Sequence, residues 1–308
     1  MRGKQAGSVY ADQTAELQRL GSVETGSRRE ADVEWSQSAS AWGGLDMDGY
    51  EEALVIYRAA SGEFVGTALL VFGGCLSVVS ASAANGRSQN GHAAHPPSQI
   101  GRMDGVGAAA TVLVAGAFGG MVAVLMYLFA RVSGAHLNPC VTLSLAIRGR
   151  ITAKRATVYA LAQLMGALLG AGLVKASVPS AVEMCMGATV LGTGVGAGGA
   201  VVIEAVLTFV LCLLYLARGP FDQLEVELGE VDVAQSSLAL GLYYGVATLA
   251  ALPLTGASMN PWRSLASNMF SVGSCDNGSQ WVFWAGPVVG AVFAAFASGI
   301  WFSPPKVD

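Results

Sequence analysis

Six apolar stretches, at about 59–80, 108–130, 155–176, 200–217, 236–254 and 281–302, come close to or exceed the roughly 20 residues that carry a helix across a bilayer. They are rich in Ala, Gly, Val and Leu and show no charged stripe, whereas a soluble helix of that length presents a polar face. Only 12% of the 308 residues are charged, against about 25% in an ordinary soluble domain. With 53% hydrophobic residues and a mean hydropathy of +0.52, the expected solvent is lipid. The sequence therefore predicts an all-α membrane protein with six transmembrane helices.

Several function classes fall away at once. A net charge of −4 with no basic cluster argues against nucleic-acid binding. Five cysteines do not make a disulfide framework. No metal-ligand cluster, nucleophile–base pair or phosphate-cradling Gly loop is recognisable, so neither an enzyme nor a cofactor is expected. The polar start of the chain lacks the apolar core of a cleavable signal.

The expected organisation is a disordered cytoplasmic tail over 1–53, a membrane domain over 54–304 and a short tail over 305–308. Lys and Arg concentrate on one side, at the N terminus, Arg131, Arg148, Arg150, Lys154, Arg155, Arg218 and Lys306. The other side holds Arg87, Arg102, Lys175 and Arg263. That asymmetry predicts both termini in the cytoplasm. His92 and His95 lie in a long outer loop near 86–105 with no third ligand, and 221–232 reads as a solvated acidic loop. Small-residue pairs at Gly116/Gly120, Gly166/Gly170, Gly241/Gly245 and Gly286/Gly290 predict close helix contacts.

The chain also repeats. Glu63-Phe-Val-Gly-Thr67 in the first helix answers Glu204-Ala-Val-Leu-Thr208 in the fourth, and SGAHLNP answers TGASMNP 122 positions later. Three helices per copy, at about 54–176 and 200–304, force the copies into opposite orientations. Inverted repeats place their special segments at the bilayer midplane.

That position gives the Asn-Pro pairs a physical role. Asn is a good N-cap and Pro suits the first helical turn. Asn138-Pro139 and Asn260-Pro261 therefore predict two re-entrant half-helices, near 138–148 and 260–270, whose N-termini meet centrally. Two positive helix ends and two side-chain amides there would bind the oxygen of a passing water and repel protons and cations.

These residues carry a resemblance. SGAHLNP, Asn260-Pro-x-Arg-Ser264, the paired Glu-x-x-x-Thr, Ala162-Gln163 and WVFWAGP at 281–287 make the chain similar to the aquaporins of the major intrinsic protein family, over about 54–304. The resemblance implies a homotetramer of subunits with individual pores, in a plasma or organelle membrane. It implies a structural role for Glu63 and Glu204, as acceptors for the half-helix loops, with His136 bracing the first; a proton relay is the other reading of two intramembrane carboxylates. It also implies a filter at Phe118, Thr248, Ala257 and Arg263. Phe118 and Arg263 match the water pattern; Thr248, where many water-selective members carry His, and Ala257 make the opening wider. Ser264, where glycerol channels usually carry Asp, and Phe283-Trp284 also favour water.

Two residues depart from the family's usual Ala. Cys140 either substitutes as a small residue or serves as a reactive thiol. Trp262 either packs outward or narrows the pore. Cys185 and Cys275 both fall in outer connections and could pair. The expected function is passive conduction of water, with some passage of glycerol, urea or hydrogen peroxide and exclusion of ions. The alternatives are a solute-preferring channel, a secondary transporter, which would need a coupling-ion site, and a non-conducting structural membrane protein.

Overall fold

The structure, a computed structural model, describes residues 47–86, 107–179, 185–218, 230–271, 275 and 278–302. Among the described residues eight helices run in order: α1 (Met47–Gly86), α2 (Ala108–Ser133), α3 (Pro139–Ile147), α4 (Ala153–Ser177), α5 (Ala197–Ala217), α6 (Glu230–Thr255), α7 (Pro261–Phe270) and α8 (Val282–Trp301). Among the described residues no strand occurs. By its packing the chain divides into Met1–Val55 and Ile56–Asp308. Of the first unit, the described residues are the opening turns of α1.

Among the described residues six helices are long and apolar enough to cross a membrane: Glu52–Ala84, Ala108–Ser133, Ala153–Ser177, Ala197–Ala217, Val233–Thr255 and Val282–Trp301. They coincide with the six apolar stretches. The main difference is that α1 begins at Met47, so residues 47–53, expected in the polar tail, are helical. From Tyr50 to Ala60 the sequence has neither Gly nor Pro, so nothing breaks the helix before the apolar span begins. The expectations for the tail before residue 47, for His92 and His95, for 221–229 and for 305–308 lie outside the described residues.

Glycine decides how closely the spans approach. A Cβ at Gly166 or Gly170 of α4 would overlap the Phe64 or Ala68 carbonyl of α1, and one at Gly290 of α8 would overlap the Ala205 carbonyl of α5. Gly241 meets the Gly119 carbonyl where α2 packs on α6. Three of the four expected pairs thus sit in close seams. Gly116 and Gly120 do not: a Cβ at either would meet nothing within 4 Å. Gly119, between them, makes the approach to α6. Gly116 and Gly120 instead line a groove of about 390 Å³ on the outer face of α2 and α6.

The short helices α3 and α7, of 9 and 10 residues, are each about 14 Å long at 1.5 Å per residue. That is half of a hydrocarbon core about 30 Å thick. Half-helix α3 rests on α8 and half-helix α7 on α4, so each packs against the last helix of the other repeat.

Candidate functional site

The site grows from two short backbone segments, 134–138 and 256–260, that approach the half-helices. Gly134 and Gly256 have φ of 86° and 80°, and Ala135, Leu137, Ala257 and Met259 lie at φ 47°, 52°, 47° and 51°. The left-handed region costs an L-residue about 1–2 kcal/mol, so four such residues need compensating bonds. The same pattern recurs at the 122-position offset, which marks it as part of the repeat.

Compensation comes from the two buried carboxylates. Glu63 accepts from the His136 and Leu137 amides at 2.8 and 2.7 Å, from the Ser133 hydroxyl at 2.6 Å and from the Gln163 amide at 2.7 Å. Glu204 accepts from the Ser258 and Met259 amides at 2.9 and 2.8 Å and from the Thr255 hydroxyl at 2.7 Å. Buried backbone N–H groups need such partners, and each acid supplies them to its own copy of the loop. His136 braces the first copy, its Nδ1 lying 3.1 Å from the Thr142 hydroxyl and its ring edge-on to Tyr159. The threonines of the Glu-x-x-x-Thr pair do not join in: the buried hydroxyls of Thr67 and Thr208 find no partner among the described residues.

Each segment ends in its asparagine. The Asn138 side-chain oxygen accepts from the Cys140 amide at 2.9 Å, while that of Asn260 accepts from Trp262 and Arg263 at 3.1 and 3.2 Å. Pro139 and Pro261 occupy the first helical turns. The two Asn NH₂ groups cross over: Asn138 donates to the Met259 carbonyl at 2.7 Å and Asn260 to the Leu137 carbonyl at 2.9 Å. Both asparagines border a cavity of about 20 Å³, lined also by Leu70, Val122, Val141, Leu211 and Tyr244. A water needs about 10–15 Å³, so the space suits one molecule at a time.

On the α7 side of this point, Arg263 is 1% exposed, and its guanidinium carbon lies 5.3 Å from the Phe118 ring centroid. Its Nη1 donates to the Gly187 carbonyl at 3.0 Å. Phe118 stacks on Tyr244 with centroids 5.9 Å apart. The structure thus brings Arg263 and Phe118 together directly. Thr248, whose hydroxyl donates back to the Tyr244 carbonyl at 2.8 Å, and Ala257, next to the Ser258 carbonyl that accepts from the Tyr244 hydroxyl at 3.3 Å, are buried around the same tyrosine.

The two departures from Ala point elsewhere. The Trp262 indole is half-buried, donates to the Ala160 carbonyl at 2.9 Å and meets Trp284 edge-on at 5.1 Å. Trp262 and Cys140 both line a groove of about 320 Å³ between α4 and α8, rather than the cavity between the asparagines. The outward reading of Trp262 is the one the geometry supports. Cys185 and Cys275 are joined as a disulfide, with Cα atoms 5.4 Å apart.

Sequence reasoning missed three contributors. Tyr215 lines the central cavity and donates to the Ala135 carbonyl at 2.7 Å. Arg218, counted earlier only as an orientation charge, donates to the Gly134 carbonyl at 2.7 Å and lies 3.9 Å above the Tyr215 ring. Gly187, in the connection between α4 and α5, supplies the acceptor for Arg263. Each acts through contacts distant in sequence, and none sits in a repeated motif.

The model of the family described as "Major intrinsic protein" matches residues 51–298. The chain is 36% identical over 243 residues to the probable aquaporin PIP2-8 of Oryza sativa subsp. japonica, covering 78% of this chain and 79% of that one. It is 32% identical over 241 residues to aquaporin PIP2-1 of Arabidopsis thaliana, covering 78% and 79%. Among solved structures, the aquaglyceroporin from Plasmodium falciparum superposes with a TM-score of 0.58 at 23% identity, over 80% of this chain and 96% of that one. The chain belongs to the major intrinsic protein family.

Proposed function

We propose that the chain is a passive transmembrane channel for water that also admits small neutral solutes, such as glycerol, urea or hydrogen peroxide, and excludes protons and ions. One observation carries the reading. Asn138 and Asn260 each cap one half-helix and each donate one N–H to the opposite loop, and an amide NH₂ has a second hydrogen to offer. Those second hydrogens, with the positive ends of two half-helices, suit the oxygen of a water passing through single file. The same positive field opposes a proton or cation.

Arg263, Phe118, Thr248 and Ala257 form the selectivity filter in this reading. The buried guanidinium offers donors to water and repels cations. Tyr244 and Phe118 shape the wall, and the inward-bonded Thr248 leaves it poor in donors, which is why some solute passage is included. The names of the rice and Arabidopsis relatives support water as the main cargo. The solute-preferring alternative rests on the wide filter and on the likeness to an aquaglyceroporin.

The assembly in this proposal is a homotetramer, supported by the glycine-lined groove on α2 and α6. Both termini face the cytoplasm, supported by the distribution of Lys and Arg, with 1–53 as a cytoplasmic tail and 54–304 as the channel domain. Stopped-flow light scattering on proteoliposomes tests the function. Fast water flux with a low activation energy, exceeding glycerol flux per pore, is expected; glycerol flux equal to or above water flux overturns the ordering.

A further inference from the structure

The connection that supplies Gly187 is buried throughout residues 185–191. Its turn places Gly187 at φ 70°, so close to α1 that a Cβ there would stand 3.0 Å from the Cys75 Cα. Four holds fix this turn. Cys185 is bonded to Cys275. The Thr189 hydroxyl donates to the Ser264 hydroxyl at 2.8 Å. The Gly192 amide donates to the Leu254 carbonyl at 2.8 Å. Between them, the Gly187 carbonyl accepts from Arg263 at 3.0 Å.

We infer that the Cys185–Cys275 disulfide is a positioning element of the selectivity filter, holding the Gly187 carbonyl where it fixes the Arg263 guanidinium beside Phe118. A guanidinium on a long flexible stem takes its place from its acceptors. Besides the Ser267 hydroxyl at 3.4 Å on its own helix, the backbone acceptor here sits two residues after one end of the disulfide, and the other end follows α7, the helix that carries Arg263. Donor and acceptor are thereby tied into one covalent ring, closed over a sequence separation of 90 residues. Without the bond, the turn keeps the Thr189 and Gly192 hydrogen bonds and the packing of Met186 but loses its covalent tie to the end of α7, and the carbonyl gains freedom to leave Arg263. The guanidinium then swings, and the opening admits larger neutral solutes. The inference rests on the reading of Arg263 as a filter residue.

The test compares urea and water permeability in proteoliposomes of the full chain. The wild type, the Cys185→Ser/Cys275→Ser double variant and Arg263→Val are measured with and without prior incubation in dithiothreitol. Reduction passes two electrons and two protons to the S–S bond, giving two thiols, while the reagent's own thiols close to a ring disulfide. Its extent is read by mass after alkylation. Cys75, Cys140 and Cys212 are unbonded and buried, so the reagent has no second disulfide to act on.

The expected result is a several-fold rise in the urea-to-water ratio in the double variant and in reduced wild type, reversed by reoxidation. Arg263→Val should start high and not respond to the reagent. A lower melting temperature with an unchanged ratio, in both the double variant and the reduced wild type, overturns the inference and leaves the bond a purely structural staple. Should the double variant fail to assemble, the reduced and reoxidised wild type still decides the matter. Absence of water flux in oxidised wild type sinks the channel reading itself, and this inference with it.

Discussion

Asn260 donates its side-chain amide to the Leu137 carbonyl at 2.9 Å, reaching across from the second repeat to the loop of the first. With its counterpart from Asn138 to Met259, this bond makes the centre of the molecule a joint property of both halves. Replacing Asn260 by Ala removes a helix cap, worth about 1 kcal/mol, and a cross-loop hydrogen bond of about 1 kcal/mol. Thermal unfolding in detergent should show the loss of stability, and stopped-flow measurements should show water flux reduced several-fold. Flux equal to wild type would place the water path away from the asparagines.

The two carboxylates differ in how many donors they serve. Glu63 accepts from four groups and Glu204 from three. A Gln side chain keeps one acceptor oxygen and adds donors of its own, so buried N–H groups lose their partners at about 1–3 kcal/mol each. Glu63→Gln is expected to lower the melting temperature more than Glu204→Gln, with both below wild type. The reverse order would mean that the Gln163 and Ser133 bonds contribute little.

Arg263→Val should leave the fold intact and water flux present while urea, glycerol and proton fluxes rise. The substitution removes a buried charge beside Phe118 and opens the space it filled. A pH-sensitive dye trapped in the vesicles reads the proton leak. A tight seal to protons in this variant would assign their exclusion to the half-helix ends alone.

Trp262→Ala tests the outward packing. The ring lies against Trp284 and under the Ala160 carbonyl, so its loss should cost about 2 kcal/mol, below the value for a fully buried Trp. Water flux per pore should change little. A large increase on removing the ring would show that the tryptophan obstructs the pore.

Much of this was legible in the sequence because it was written twice. The six spans follow from length and apolarity, and the half-helices from Asn-Pro chemistry at N-termini. The roles of Glu63 and Glu204 were read from the need of buried loop N–H groups for acceptors and from the resemblance. Trp262 was left open because a sequence shows what a residue is but not which way its helix turns it; Ala160 and Trp284, which hold it, lie in other helices. Tyr215, Arg218 and Gly187 were not legible at all. Tyr215 and Arg218 donate to backbone carbonyls of a distant segment, Gly187 offers its own carbonyl to Arg263, and a carbonyl carries no signature in sequence. The disulfide was legible as a possible pair, but not its closure, since its two ends are brought together only once α5, α6 and α7 are packed.

The crossed amides carry a mechanical consequence. Spreading the two half-helices apart would break the bonds that hold each asparagine to the other loop, and those same asparagines seal the helix ends. Dilating the middle therefore means breaking both cross-loop bonds at once, and the centre acts as a rigid collar. Any opening and closing in response to a signal would have to be staged at the two mouths.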